Sequence, residues 1–455
     1  MKLSRFNIIG RAKDDPNGYL LYNTLHDHRI LFEDPDLNPE RLFARIRDRL
    51  PLTEKEVGAA DNLFEMGILV ADDADERKVF EDWHHHKIRE RVDRLQVTIL
   101  PTMNCNLACR YCFENEVRQT QMMTPETADV LTQWLIRRID RVRPETVHLT
   151  YFGGEPLLHP GPIRTISRMV GGHCQREGIP FEFGMITNGV RLTPEFVDEM
   201  LPYGFQWVKI TFDGDREAHD KKRVHHGGKG TFDEIYNNLS RIHGKLKIAI
   251  GGNFDDENYA AMFPLLERLK ASPFAGDIMV ARFKPIMKVD SRRASQREGT
   301  PPSLCQVCSF NDEQVHGIVA LQRRTEAVGL PIQEMPEIGP CEYHSRHSFT
   351  IGPDGLLYNC PAFVGLKNLA GGDVFHDEQN PAGEQQLAGK KWDEDCESCS
   401  FLPNCAGGCR YNSLNRTGDL NIKSCEVNYL KAMTEEFMQR EIGRLRVETT
   451  RAVAA

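Results

Sequence analysis

Through the middle of the chain, short apolar runs alternate with amphipathic helical stretches. Candidate strands fall at residues 97–100, 147–152, 181–186, 207–212, 246–250 and 278–282. Between most of them, apolar residues recur three and four apart, as at 128–139 and 194–201. Strand–helix alternation predicts an α/β fold with a parallel sheet and right-handed crossovers. Before it, Tyr19-Leu20-Leu21-Tyr22-Asn23 and Arg29-Ile30-Leu31-Phe32 flank a polar turn, as a hairpin would. A helix follows with Leu42, Phe43, Ile46 and Leu50 on one face, ended by Pro51. Thr53 and Glu56 form a capping box for a second helix carrying Val57, Ala60, Leu63 and Phe64. Gly67 stops it, and Ile68-Leu69-Val70 reads as a closing strand. Near the other end, Leu430, Met433, Phe437 and Leu445 mark the packing face of a last amphipathic helix.

Three segments result: 1–95, 96–290 and 291–455. A chain of 455 residues with 40% hydrophobic content supports two or three cores. No run approaches the roughly 18 apolar residues of a membrane helix, and the apolar cluster of Phe6, Ile8 and Ile9 is too short for a secretory signal. A cytoplasmic protein is expected. The net charge of −9, with no long basic tract, argues against nucleic-acid binding, and interspersed charges argue against membrane attraction. The triplet His84-His85-His86 reads as a solvated helix face.

Thirteen cysteines in such a chain are not expected to be disulfides. Cys174 alone lacks a grouping and reads as a buried thiol. Cys105, Cys109 and Cys112 follow the first central strand at x3 and x2 spacing, with Tyr111 before the last cysteine. A structural zinc wants four closed ligands, whereas three thiolates on one loop hold three irons of a cubane and leave the fourth open. This CxxxCxΦC pattern resembles the signature of the radical S-adenosylmethionine (SAM) superfamily. The resemblance implies a partial (β/α)6 TIM-type barrel with chemistry at the C-terminal strand ends. It also implies reductive cleavage of SAM to methionine and a 5′-deoxyadenosyl radical.

Other motifs extend the resemblance. Gly153-Gly154-Glu155-Pro156 follows the second strand and matches the GGEP that holds the SAM amino group. Asn188, ending the third strand, and Thr211 and Asp213, ending the fourth, match positions facing SAM. His219-Asp220, Arg223 and Gly230-Thr231-Phe232 resemble a stretch of the peptide-modifying branch. Where relatives end the fifth strand with Arg-x-Asn, this chain has Gly251-Gly252-Asn253. Asn253 keeps its role, and the SAM carboxylate needs another partner, Arg223 or Arg282. The SAM-binding set is thus Tyr111, Gly153, Gly154, Glu155, Asn188, Thr211, Asp213, Arg223 and Asn253; no residue is assigned to hydrogen abstraction.

Downstream, Cys341-x13-Gly355-x4-Cys360, Cys396-x2-Cys399-x5-Cys405-x3-Cys409 and Cys425 match the SPASM extension of radical SAM enzymes. Asp354-Gly355 suits a hairpin turn that sets Cys341 beside Cys360. A pair of zinc sites is the rival reading. By resemblance, Cys396, Cys399, Cys405 and Cys425 hold an outer [4Fe-4S] cluster, and Cys341, Cys360 and Cys409 an inner one. Cys305 or Cys308 completes the inner cluster, or an iron stays open. The whole implies three [4Fe-4S] clusters, SAM, and a reductant such as flavodoxin or ferredoxin.

SPASM enzymes mostly modify peptides and proteins. The first segment looks like a compact winged-helix unit and resembles the recognition elements of peptide-modifying enzymes, with a plain structural extension as the alternative. The expected function is a peptide maturase that oxidatively modifies a side chain or α-carbon of a ribosomally made precursor peptide. The alternatives are an anaerobic sulfatase-maturing enzyme and a non-catalytic iron–sulfur electron-transfer scaffold.

Overall fold

The structure, a computed structural model, describes residues 1–112, 120–286, 310–335, 339–376, 381–389 and 391–454. Cys305 and Cys308 lie outside the described residues.

The first segment contains β1 (Lys2–Leu3), β2 (Asn7–Arg11), β3 (Tyr19–Asn23), β4 (His28–Phe32), helices Pro39–Arg47 and Glu54–Glu65, and β5 (Leu69–Val70). The predicted hairpin forms, with Tyr19 opposite Phe32 and Asn23 opposite His28. β2, broken in pattern by Asn7, Gly10 and Arg11, completes a sheet of order β2-β3-β4. The closing strand does not join it; β5 pairs with β1 instead. The capping box is present, Thr53 Oγ1 accepting from Glu56 N at 3.3 Å and Glu56 Oε2 from Thr53 N at 2.9 Å. Of the predicted second-helix face, Ala60 and Leu63 are buried, whereas Val57 and Phe64 are exposed. β3 is apolar on both faces because both are covered. Tyr19 and Leu21 pack on Leu42, Phe43 and Leu63, while Leu20 and Tyr22 pack on Phe437, Met438 and Ile442 of the final helix, Val427–Ala454.

The central strands are β6 (Arg94–Ile99), β7 (Thr146–Tyr151), β8 (Phe181–Ile186), β9 (Phe205–Thr211), β10 (Lys247–Phe254) and β11 (Ile278–Pro285). They pair in sequence order and in parallel, with helices such as Pro125–Val142 and Pro160–Glu177 in the crossovers. This is the expected partial TIM-type arrangement. β10 and β11 run past the predicted ends at 250 and 282, since Gly251 and Gly252 keep pairing where no apolar side chain signals it. One face of the sheet is apolar, with Val97, Ile99, Leu149, Val208, Ile210, Ile248 and Ile250 buried in the main core.

The sheet does not stop at the predicted boundary near 290. β12 (Ser348–Ile351) pairs in parallel with β6, covering an edge that would otherwise be open. β13 (Leu356–Tyr358) and β14 (Gly372–Asp373) continue it, giving nine strands in the order β11-β10-β9-β8-β7-β6-β12-β13-β14. Gly355 turns β12 into β13 at φ +78°. The final helix joins the segments, placing Leu430 and Met433 in the main core and Phe437 against β3. The reading of His84 as solvated is corrected: its Nε2 meets His344 Nδ1 at 3.2 Å, and its ring packs on Trp392. Burial holds it neutral, down to about 4. No helix among the described residues is long and apolar enough to cross a membrane.

Candidate active site

The cysteine loop leaves β6 and folds over the strand ends. Leu107 bridges His225, Ala108 N donates to Val224 O at 2.8 Å, and Cys112 N donates to Cys109 O at 3.2 Å. Cys109 is buried, while Cys105 and Cys112 are half-buried. Cys105 Sγ accepts from Leu107 N at 3.5 Å and Asn188 Nδ2 at 3.8 Å.

Gly153 and Gly154 follow β7 and press on this loop. A Cβ on Gly153 would sit 2.3 Å from Thr102 O, and one on Gly154 2.3 Å from Asn104 O. Gly153 also holds φ +121°. Their close approach is therefore to the backbone leading into the cysteines. Glu155 follows, fully buried. It accepts from Leu157 N at 3.0 Å, Thr187 Oγ1 at 2.7 Å and Asn188 N at 2.7 Å. Burial pushes its carboxyl up, opposed by those donors and by Arg223. Among the described residues it has no ion-pair partner within contact, so a buried carboxylate awaits a cation.

Tyr111 is the hub of the remaining residues. Its hydroxyl donates to Asp213 Oδ2 and accepts from Arg223 Nη1 at 2.7 Å and Asn253 Nδ2 at 3.3 Å. Asp213 Oδ1 takes Asn253 N at 2.7 Å, and Asn258 Nδ2 reaches Asp213 O at 2.9 Å. Burial raises the Asp213 carboxyl, against the pull of Arg223 and Tyr111. Burial would discharge Arg223, but Tyr111, Cys109 and Asp213 outweigh it and hold its proton firmly. Among the described residues, Arg223 Nε is a buried donor with no partner.

The HD-x-x-R…G-T-F stretch builds this loop. His219 is buried and neutral; Nδ1 accepts from Asp213 N at 3.3 Å, leaving Nε2 to donate to Thr231 Oγ1 at 3.0 Å. Thr231 Oγ1 donates on to Arg223 O at 2.8 Å. Asp220 caps Thr231 N and Phe232 N at 2.8 and 2.9 Å, and leaves no room for a Cβ on Gly230. The structure thus brings together Tyr111, Asp213, Arg223 and Asn253, and separately Gly153, Gly154, Glu155 and Asn188 around Cys105. Thr211, half-buried, ends β9 beside Gly251. Asn258, which supports both Asp213 and Asn253, carried no signal in the sequence; it is one asparagine in a loop.

These groups fit SAM and a cluster. Three thiols stand on one loop, a buried carboxylate suits an ammonium, and the orphaned Arg223 Nε suits a carboxylate. Among the described residues, no three His, Cys, Asp or Glu side chains converge tightly enough for a single metal ion.

The later cysteines fall into two neighbourhoods. Cys341, Cys360 and Cys409 act electrostatically on one another, and Cys396, Cys399 and Cys425 act on Cys405. Burial pushes Cys341 up to about 11 and Cys405 to about 12. Arg410 lies buried between the sets, its guanidinium given to the carbonyls of Gly407, Gly408, Leu420 and Ile422.

The family described as the Radical SAM superfamily matches residues 99–262. The chain is 24% identical over 298 residues to the radical SAM cyclopropyl synthase TigE of Paramaledivibacter caminithermalis, covering 60% of this chain and 58% of TigE. It is 25% identical over 350 residues to a serine-type anaerobic sulfatase-maturating enzyme of Bacteroides thetaiotaomicron, covering 69% and 82%. Among solved structures, anSMEcpe with bound AdoMet and the Kp18Cys peptide superposes at TM-score 0.60 and 16% identity, covering 78% of this chain and 99% of that one. Streptococcus suis SuiB bound to its precursor peptide SuiA superposes at TM-score 0.52 and 15% identity, covering 94% and 99%. The chain carries a radical SAM domain and is a homologue of the SPASM-type maturases.

Proposed function

We propose that the protein is a radical SAM peptide maturase, oxidatively modifying a side chain or α-carbon of a ribosomally made peptide. The observation that carries the SAM site is the fully buried Glu155, which has no ion-pair partner in contact among the described residues and stands one hydrogen bond from Asn188 and so from Cys105. When bound, a reduced [4Fe-4S] cluster and SAM supply a 5′-deoxyadenosyl radical able to take a hydrogen atom. The chain's own part is to hold and position. Cys105, Cys109 and Cys112 ligate three irons. Glu155 takes the ammonium of SAM, and Arg223 Nε its carboxylate. Tyr111, Asp213 and Asn253 fix Arg223; Gly153 and Gly154 let the Glu155 loop dock on the cysteine loop.

Cys396, Cys399, Cys405 and Cys425, and Cys341, Cys360 and Cys409, would hold two further clusters, which would supply a route for an electron removed from the substrate. Cys305 or Cys308 completes the inner set, or an iron stays open. A flavodoxin or ferredoxin would supply the first electron. Residues 1–95 would bind the precursor, an extended segment pairing with a strand edge.

Support for a peptide substrate over a sulfatase comes from the superposition on SuiB, which spans 94% of this chain against 78% for anSMEcpe. Sulfatase maturation is the second reading, favoured by the higher TM-score of anSMEcpe. The test is the product on peptides encoded near the gene and on a sulfatase-derived peptide. A cross-link with loss of hydrogen and no carbonyl is expected. A hydrazide-reactive aldehyde on the sulfatase peptide alone would move the protein to the second reading.

A further inference from the structure

The face of the sheet opposite the main core carries charge that the SAM site does not use. Along β10, Ile248, Ile250 and Phe254 lie in the main core, so Ala249, Gly251 and Asn253 face the other way. Pairing register sets Lys209 of β9 beside Ala249, Arg282 of β11 beside Gly251, and Lys284 beside Asn253. A Cβ on Gly251 would lie 3.5 Å from Lys209 Cε, so the Lys209 stem runs across this small residue toward β11. Solvent reaches all three cations. Even so, the walls around Lys209 and then the charges of Lys284 and Arg282 push its ammonium down to about 8.

Among the described residues none of the three takes part in an ion pair or a side-chain hydrogen bond. Glu182, on β8, is held by His148 at 2.6 Å, and Asp213 by Tyr111 and Asn253. Three clustered cations with no counter-charge among the described residues are unusual in a chain of net charge −9. With the SAM carboxylate given to Arg223, SAM's sulfonium and ammonium would only add positive charge near them. An anion from elsewhere would.

The geometry points to a substrate subsite: Lys209, Arg282 and Lys284 take the carboxylate of an acidic side chain in the substrate peptide, beside Asn253 at the SAM end of the sheet. This rests on the peptide-maturase reading. It implies that the peptide carries Asp or Glu close in sequence to the modified residue, and that the cations select for it.

The test uses the full chain with clusters reconstituted and SAM bound. Two fluorescent probes are titrated, Ac-Gly-Glu-Gly-Glu-Gly-amide and its Gln counterpart. The Glu probe should bind at least about tenfold tighter, as a charge-assisted bond requires, and the preference should shrink as salt is raised. Lys209→Gln with Lys284→Gln should abolish the preference and leave SAM affinity unchanged. Equal binding of the two probes to the unaltered protein would overturn the subsite. A tenfold loss of SAM affinity in the double variant would also overturn it, by assigning the cations to the cofactor. Binding is read without turnover. Acid-selective binding by a protein that modifies no peptide would therefore uphold the subsite while refuting the maturase reading.

Discussion

One hydroxyl group, that of Tyr111, ties the cysteine loop to two strand ends, at Asp213 and Asn253, and to Arg223 at the end of a helix. Tyr111→Phe leaves Arg223 Nη1 without its nearest acceptor and Asp213 Oδ2 without a donor. Stability should fall by about 1–3 kcal/mol, the cost of unsatisfied buried groups, with the thermal midpoint as the readout. An unchanged midpoint would show that the hydroxyl is not in a buried network. Glu155→Ala should weaken SAM binding about ten- to a hundred-fold, by loss of a charge-assisted bond, while every cluster remains visible spectroscopically. Unchanged SAM affinity would reduce Glu155 to a cap for Leu157, Thr187 and Asn188. At this scale the individual residues were legible in the sequence, but not their relations. Tyr111 was legible as the aromatic between two cysteines, and Asn253 as the end of a strand. That both share Asp213 depends on a loop closure that no local pattern encodes, and Asn258 could not be picked out.

Among the elements, the glycine pair after β7 is the joint between the Glu155 loop and the cysteine loop. Gly154→Ala puts a methyl 2.3 Å from a backbone oxygen that cannot swing aside. That variant should fail to assemble the first cluster. Gly172→Ala, in helix Pro160–Glu177 with only the Arg176 side chain near, should be stabilising by up to about 1 kcal/mol. Equal behaviour of the two variants would contradict this packing. The central strands were legible because each buries one face and alternates with helices. β12 against β6 was not, since a pairing across some 250 residues of sequence leaves no periodicity. Nor was the cover on β3, although the unbroken run Tyr19-Leu20-Leu21-Tyr22 hinted at two buried faces. It follows that a chain lacking residues 1–86 would bare Phe437, Met438 and Ile442. It should aggregate, as its solubility would reveal. A soluble, fully clustered truncated protein would show that this contact is dispensable.

For the molecule as a whole, the thiols make stability depend on cluster loading. Burial raises Cys341 to about 11 and Cys405 to about 12 from a usual 9.0. A raised thiol keeps its proton in the folded chain after the unfolded chain has lost it. Its contribution is therefore complete below pH 9 and lost as pH climbs toward those values. Metal-free protein should lose stability across that window, and cluster-loaded protein, whose thiolates are already ligated, should lose much less. Parallel denaturation midpoints for the two forms would contradict the raised titration of these thiols. The central claim is most directly tested by measuring 5′-deoxyadenosine formed from SAM by the anaerobically reconstituted, chemically reduced protein. The comparison is a variant with Cys105, Cys109 and Cys112 changed to alanine. The intact protein should hold about twelve irons and release 5′-deoxyadenosine with methionine; the variant should keep about two-thirds of the iron and release none. Zinc in place of labile sulfide, or no SAM cleavage by the intact protein, would contradict the account.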